Sequence, residues 1–257
     1  MSGAVLITGV GKRVGLHLAR TFLERGQPVI GTYRSSRSSL HELENMGAEL
    51  HRCDFYDDDD IEALISAIQD GHRELRGIIH NASDWLPDKG DLPPGAVMNL
   101  MMQVHVSAPY RINLALAPLL QAFPGDCSDI IHVGDYVSSR GSRKHIAYAA
   151  SKAAQDNLTL SFSAGLAPRV KVNSIAPALI MFNEDDDDAY RLKARSKNLM
   201  QREGWRKDLE EVVGARFAVE PDPEEAARLI CRHIEEKREG LGLPFVADDD
   251  GPADKVA

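Results

Sequence analysis

Short apolar runs alternate with stretches of helical periodicity along most of the chain. AVLITG (4–9) reads as a buried strand. Val14, Leu18, Ala19, Phe22 and Leu23 then recur on one helix face, and Gly26 is placed to end that helix. The strand pattern returns in QPVIGTY (27–33), AELHRCDF (48–55), LRGIIHNA (75–82), DIIHVGDY (129–136) and VKVNSIAP (170–177). Between these runs, Ile61, Leu64, Ile65 and Ile68 mark one helix face. A long helical stretch covers 98–120, and 147–166 forms another. Pro109 lies inside the long one, where a missing N–H and a ring clash should bend or interrupt it. Near the end, EEAARLICRHIEE (224–236) is amphipathic and LPFVA (243–247) is a candidate seventh strand.

Continuously apolar strands separated by helices imply a parallel sheet covered on both faces. The expected architecture is a Rossmann-type, doubly wound α/β sheet of about seven strands in a single domain over 1–257. Such sheets bind ligands outside the carboxyl ends of their strands, so the residues just after each strand carry the chemistry. No repeat or low-complexity linker interrupts the pattern, and 248–257 reads as a loose tail.

Charge and composition narrow the partners. The 257 residues carry a net charge of −9, which argues against general nucleic-acid or anionic-membrane binding. No apolar run reaches the length of a membrane span, and the chain enters a strand pattern at once, so no signal peptide and a cytoplasmic location are expected. Cys53, Cys127 and Cys231 are far apart and read as free thiols, without metal-ligand spacing. The acidic runs 57–60 and 185–188 lack the glycine and glutamate of a calcium loop. They read as solvated loops whose carboxylates cap the next helix, and no metal is expected.

After the first strand comes TGVGKRVG, with glycines at 9, 11 and 15. Between a strand and a helix, such a turn brings backbone N–H groups to a helix N-terminus and makes a seat for a pyrophosphate. The usual fingerprint has a glycine where this chain has Arg13, which can reach toward both cofactor phosphate and substrate. The second strand ends in TYRSSRSS, where NAD binders carry a carboxylate for the ribose hydroxyls. Arg34 and Ser35 instead suit a 2′-phosphate, and so NADPH, unless Arg34 is a solvated surface arginine. Asp54, closing the third strand, is either an acceptor for the adenine amino group or a plain turn aspartate. Tyr148 and Lys152 are spaced i,i+4 and share a helix face. An ammonium near a phenol lowers its pKa and makes it a better proton donor. By itself, that spacing also fits an ordinary surface pair.

Taken in order, these motifs resemble the short-chain dehydrogenase/reductases. TGxxxxxG lies at Thr8–Gly15, Asp54 follows the third strand, HNAS occupies His80–Ser83, YAASK spans Tyr148–Lys152, and NSIAP spans Asn173–Pro177. The resemblance covers residues 1 to about 200; from Gly204 onward only LGLPFVADDDG echoes it. Within the family the chain is similar to the pteridine reductases. It shares Lys12-Arg13, Tyr33-Arg34-Ser35, and Asp135 where most members have a catalytic serine.

The resemblance implies cofactor contacts from Gly9, Gly11, Lys12, Arg13, Val14 and Gly15 in the first turn. It adds Tyr33, Arg34 and Ser35 after the second strand, and Asp54 and Phe55 after the third. Asn81, Ala82 and Ser83 follow the fourth, Lys152 lies on the helix, and Pro177, Ala178 and Ile180 follow the sixth. His105 falls at the family's active-site asparagine. Substrate contacts are implied for Arg13, Ser83, Trp85, Asp135 and Tyr148, with Trp85 as the aromatic ring that stacks on a pterin. Tyr148, Lys152 and Asp135 form the catalytic set.

An ionised Asp135 would repel an oxyanion but suits a substrate with N–H donors or a protonated ring nitrogen. A dihydropterin, with a C=N bond as hydride acceptor, offers both. The implied activity is NADPH-dependent reduction of a dihydropterin to its tetrahydro form, with weaker activity on dihydrofolate. A homo-oligomer, usually a tetramer, is implied as well. Two other readings remain at this point: a carbonyl reductase acting on a non-pterin substrate, and a non-catalytic NADPH sensor. The first would be expected to keep serine at 135, and the second has no need of Tyr148 and Lys152.

Overall fold

The computed structural model describes residues 3–177 and 187–189, all within the first of two compact units, Met1–Phe217. The expected seventh strand, the amphipathic segment 224–236, Cys231 and the tail lie outside the described residues. So do Ala178, Ile180 and the first half of the 185–188 run.

Six strands are present among the described residues: β1 (Ala4–Ile7), β2 (Val29–Tyr33), β3 (Glu49–Arg52), β4 (Leu75–His80), β5 (Ser128–Val133) and β6 (Val170–Ile175). All neighbours pair in parallel in the order β3-β2-β1-β4-β5-β6. The order reverses direction between β1 and β4, so a cleft opens beyond their carboxyl ends. Helices α1 (Arg13–Glu24), α2 (Ser38–Asn45), α3 (Asp58–Gly71), α4 (Pro94–Met102), α5 (Ala108–Gln121) and α6 (Ile146–Leu166) cover the sheet.

Side-chain alternation along the strands divides the core in two. Leu6, Ile78 and Ile130 face one apolar cluster with Ile61, Met101, Ile112 and Phe162 from α3 to α6. Val5, Ile7, Ile79 and Ile131 face a second cluster with Leu18, Ala19, Leu40 and Leu43 from α1 and α2. The four inner strands β2, β1, β4 and β5 are therefore buried on both faces, which is why their sequences are largely apolar, while the edge strands β3 and β6 carry polar residues.

The long helix expected over 98–120 is interrupted. A π-turn occupies Gln103–Ser107 between α4 and α5, with the Ala108 N–H reaching back to the Gln103 carbonyl. Pro109 follows at once and cannot donate to the carbonyl four residues behind it, so the widened turn takes up the irregularity. The acidic run 57–60 behaves as a cap. Asp57 accepts from the Asp59 N–H at 2.9 Å, Asp58 pairs with Arg111, and Asp60 accepts from the Asp54 N–H at 2.8 Å.

Candidate active site

The glycine turn is built by close contact. A methyl group on Gly15 would come within 2.2 Å of the Gly9 carbonyl oxygen and 2.5 Å of Asn81 Nδ2, so only glycine lets α1 approach the end of β1. Arg13 has a φ of 51°, in the region that favours glycine. The chain thus keeps the glycine conformation of the fingerprint while placing a guanidinium there. The first turn of α1 has no side-chain cap and no carboxylate, so its N–H groups suit an anion. Arg37 lies against Gly11, its Cδ 3.5 Å from where a Gly11 Cβ would stand, and adds a second cation from the TYRSSRSS segment. These features fit the phosphates of a dinucleotide.

Asn81 occupies the end of β4 and works inward. Its side chain donates to the Thr8 and Gly9 carbonyls at 2.9 and 3.1 Å, while the Asn81 and Ala82 N–H groups both bond Thr8 Oγ1 at 2.9 Å. Asn81 therefore locks the two loops that border the cleft. Phe55 is buried in the core, so its backbone alone is available to a ligand. Val14 packs against the α1 face of the sheet. Asp54 uses one carboxylate oxygen on the Tyr56 N–H at 3.1 Å. Arg34 does not stand free: its Nη1 lies 2.9 Å from Asp84 Oδ2, which also accepts from the Tyr56 hydroxyl at 2.9 Å.

Tyr148, Lys152 and Asp135 come together. The Tyr148 hydroxyl donates to Asp135 Oδ2 at 2.7 Å, and Asp135 Oδ1 caps a short 3-10 turn by accepting from the Val137 N–H at 2.8 Å. Lys152 is buried, and its Nζ donates to the Val133 carbonyl at 2.9 Å and to Gln155 Oε1 at 3.2 Å. That ammonium lies 6.0 Å from the centre of the Tyr148 ring. The lowering of the phenol pKa expected from a nearby ammonium is not the net effect. Burial first, and then the hydrogen bond and charge of Asp135, push the Tyr148 pKa well above its usual value, while Ser83 and Arg13 act in the opposite direction. Burial brings Lys152 down to about 8 against the raising effect of Asp135 and Asp156.

His105 sits in the π-turn, fully buried, between two serines. Its Nδ1 is 2.8 Å from Ser151 Oγ and its Nε2 is 2.8 Å from Ser83 Oγ. Ser151 donates its only hydroxyl proton to the Tyr148 carbonyl at 2.8 Å. Donor counting then puts the imidazole proton on Nδ1, and Nε2 accepts from Ser83. Burial first and Lys152 second bring His105 down to about 2, so it is neutral. It fixes Ser83 at the rim of the site and Ser151 behind Tyr148. Farther in, His80, Asn113, His132 and Thr159 form a buried hydrogen-bonded chain with distances of 2.7, 3.3 and 2.7 Å. His80 and His132 are satisfied core histidines.

The loop after β4 holds Trp85 out at the surface, 58% exposed and stacked on His145 at 3.9 Å. The same loop supplies a residue that no motif announced. Asp88 accepts from the Ile146 and Ala147 N–H groups at 2.7 and 3.2 Å, and so caps α6 just before Tyr148. Ser151 and Gln155 were legible in principle, because they share the helical stripe of Tyr148 and Lys152. Asp88 was not: it acts across 58 residues of chain.

Sheet order, glycine turn and Tyr-Lys helix together define a nucleotide-dependent oxidoreductase of the short-chain type. The family model described as short chain dehydrogenase matches residues 3–186, and the chain belongs to that family. Among its relatives, the dihydromonapterin reductase of Klebsiella pneumoniae is 51% identical over 213 residues, covering 83% of this chain and 89% of the relative. The dihydromonapterin reductase of Escherichia coli K12 is 48% identical over 209 residues, covering 81% and 87%. Solved structures with the same fold include FolM alternative dihydrofolate reductase 1 from Brucella suis in complex with NADP. It has a TM-score of 0.70 and 24% identity, over 82% of this chain and 86% of that one. Pseudomonas aeruginosa RhlG, an NADP active-site complex, has a TM-score of 0.73 and 21% identity over 82% and 88%.

Proposed function

We propose that this chain reduces the C=N bond of a dihydropterin with NADPH, and that 7,8-dihydromonapterin is its substrate, with weaker activity on dihydrofolate. The observation that carries the reading is the 2.7 Å hydrogen bond from Tyr148 to Asp135, at a position where a carbonyl reductase of this family would offer a serine hydroxyl. The two relatives named dihydromonapterin reductase, each about half identical over most of both chains, support the same choice.

When bound, NADPH supplies the hydride. Gly9, Gly11 and Gly15 with the start of α1 hold its pyrophosphate, Arg34 its 2′-phosphate, and Lys152 the ribose beside the nicotinamide. Asp135 accepts hydrogen bonds from pterin N–H groups. Those bonds spread the carboxylate charge that holds the Tyr148 proton, and free the phenol to protonate a ring nitrogen. Arg13, through its charge, acts to stabilise the phenolate that remains. Trp85, on its loop, is placed to cover the flat ring once it turns from His145.

Association into a homo-oligomer, in the tetrameric form expected from the family, belongs to the same proposal. Tyr110, Leu114 and Leu160 are apolar and exposed on α5 and α6, a face that suits a second copy and that light scattering tests. Among the described residues no helix is long and apolar enough to cross a membrane, in keeping with the expected cytoplasmic location.

The test is NADPH oxidation with dihydromonapterin, dihydrobiopterin, dihydrofolate and a panel of ketones. Turnover of the pterins, and its loss in Tyr148→Phe with NADPH binding kept, is the expected result. Turnover of ketones alone would overturn the reading in favour of a carbonyl reductase. NADPH binding without any turnover would favour a sensor.

A further inference from the structure

Arg34 stands at the end of β2 and Asp84 just past the end of β4, the two strands that flank β1. Strands are about 4.8 Å apart, so a bond between these residues spans roughly 10 Å, directly over the carboxyl end of β1 and its glycine turn. The Arg34 Nη1 to Asp84 Oδ2 distance of 2.9 Å closes that span. Tyr56, past the end of β3, adds its hydroxyl to the same oxygen, and the guanidinium lies 5.7 Å from its ring centre. Asp84 Oδ1 is also engaged, by the Trp85 N–H at 2.9 Å. One carboxylate thus ties Arg34 and Tyr56 to the loop that carries Ser83 and Trp85.

A carboxylate on a guanidinium fills the place that a phosphate would take, since both anions use the same N–H donors. The Nη1 edge that Asp84 holds cannot serve both in full. A 2′-phosphate at Arg34 sets a second negative group beside Asp84, and like charges at contact repel. We propose that Asp84 occupies the phosphate seat on Arg34 in the cofactor-free protein, and that the cofactor's 2′-phosphate displaces it and releases the Ser83–Trp85 segment. Asp84 and Tyr56 are then determinants of cofactor selectivity, and cofactor entry is coupled to the substrate loop. The inference rests on the NADPH reading of Arg34 given above.

Binding titrations of NADPH and NADH to the wild type, Asp84→Asn, Arg34→Ala and the double variant test it. Asp84→Asn frees Arg34, and NADPH binds about three- to fivefold more tightly, the scale of a half-exposed ion pair, with NADH unchanged. In the Arg34→Ala background the Asp84 change has no effect on NADPH. A second measurement follows Trp85 fluorescence in a Trp205→Phe background on adding adenosine 2′,5′-bisphosphate. The emission shifts in the wild-type site, and ADP leaves it unchanged. Weaker or equal NADPH binding by Asp84→Asn, with the wild-type preference over NADH intact, overturns this proposal alone. A wild type with no preference for NADPH overturns the cofactor reading beneath it, and pterin turnover is read separately from both.

Discussion

Arg13 takes a backbone conformation with φ of 51° that other side chains avoid, at a cost of about 1 kcal/mol. Strain of that kind persists where the side chain is used, and here Arg13 acts on Tyr148 through its charge. Arg13→Gly should therefore raise stability by up to about 1 kcal/mol, read as a higher Tm. It should also weaken NADPH binding and slow pterin turnover. A variant that is both less stable and fully active would remove Arg13 from the site. At this scale the sequence was most readable for residues fixed by short spacings. Tyr148, Lys152 and Asp135 lie within one stretch, and the phenol bonds the carboxylate. What the spacing could not reveal was the balance of forces on the phenol, where burial and Asp135 outweigh Ser83 and Arg13.

Helix α6 is the element on which the chemistry depends. Tyr148 is its third residue, in the turn whose N–H groups lack helical partners. Asp88 reaches two of them from the Trp85 loop, so the cap both anchors the loop and steadies Tyr148. Asp88→Ala should cost about 1 kcal/mol of stability, the usual value of a lost cap. It should lower kcat several-fold with NADPH affinity retained, and Asp88→Asn should restore part of the loss. Unchanged kcat and Tm would show the cap to be idle. The other decisive element is the π-turn. Pro109 announced an interruption in the sequence, but the widened form of the turn was not legible. That form sets His105 between Ser83 and Ser151, where burial keeps the imidazole neutral.

Across the described residues, the parallel sheet was legible because the inner strands are apolar on both faces and the segments between strands carry a helical period. Long-range polar contacts left no such trace. The links from Asp88 to α6, from Asp84 to Arg34 and from Asn113 to the two core histidines join residues with no shared motif. The buried histidines set the acid limit of the fold. Burial lowers His80 to about 4 and His105 to about 2, and holds His132 well below its usual value. Unfolded histidines take up protons near pH 6.5, so between that pH and the folded values the unfolded state binds more protons. Stability then rises with pH across this window and is lost as pH falls through it. His80 alone contributes on the order of 3 kcal/mol by pH 4. Urea melts from pH 7 to 4 should show a steady fall beginning near 6.5, and His80→Gln should flatten part of it. A flat profile would mean that the histidines are solvated.

The claim on which the account turns is that Asp135 makes this a reductase of ring imines rather than of carbonyls. Its most direct test is the steady-state kcat/KM for dihydromonapterin in the wild type and in Asp135→Ser, at saturating NADPH. The account predicts a loss of about a hundredfold or more in the variant, with NADPH binding kept. Pterin turnover by Asp135→Ser equal to that of the wild type would contradict it.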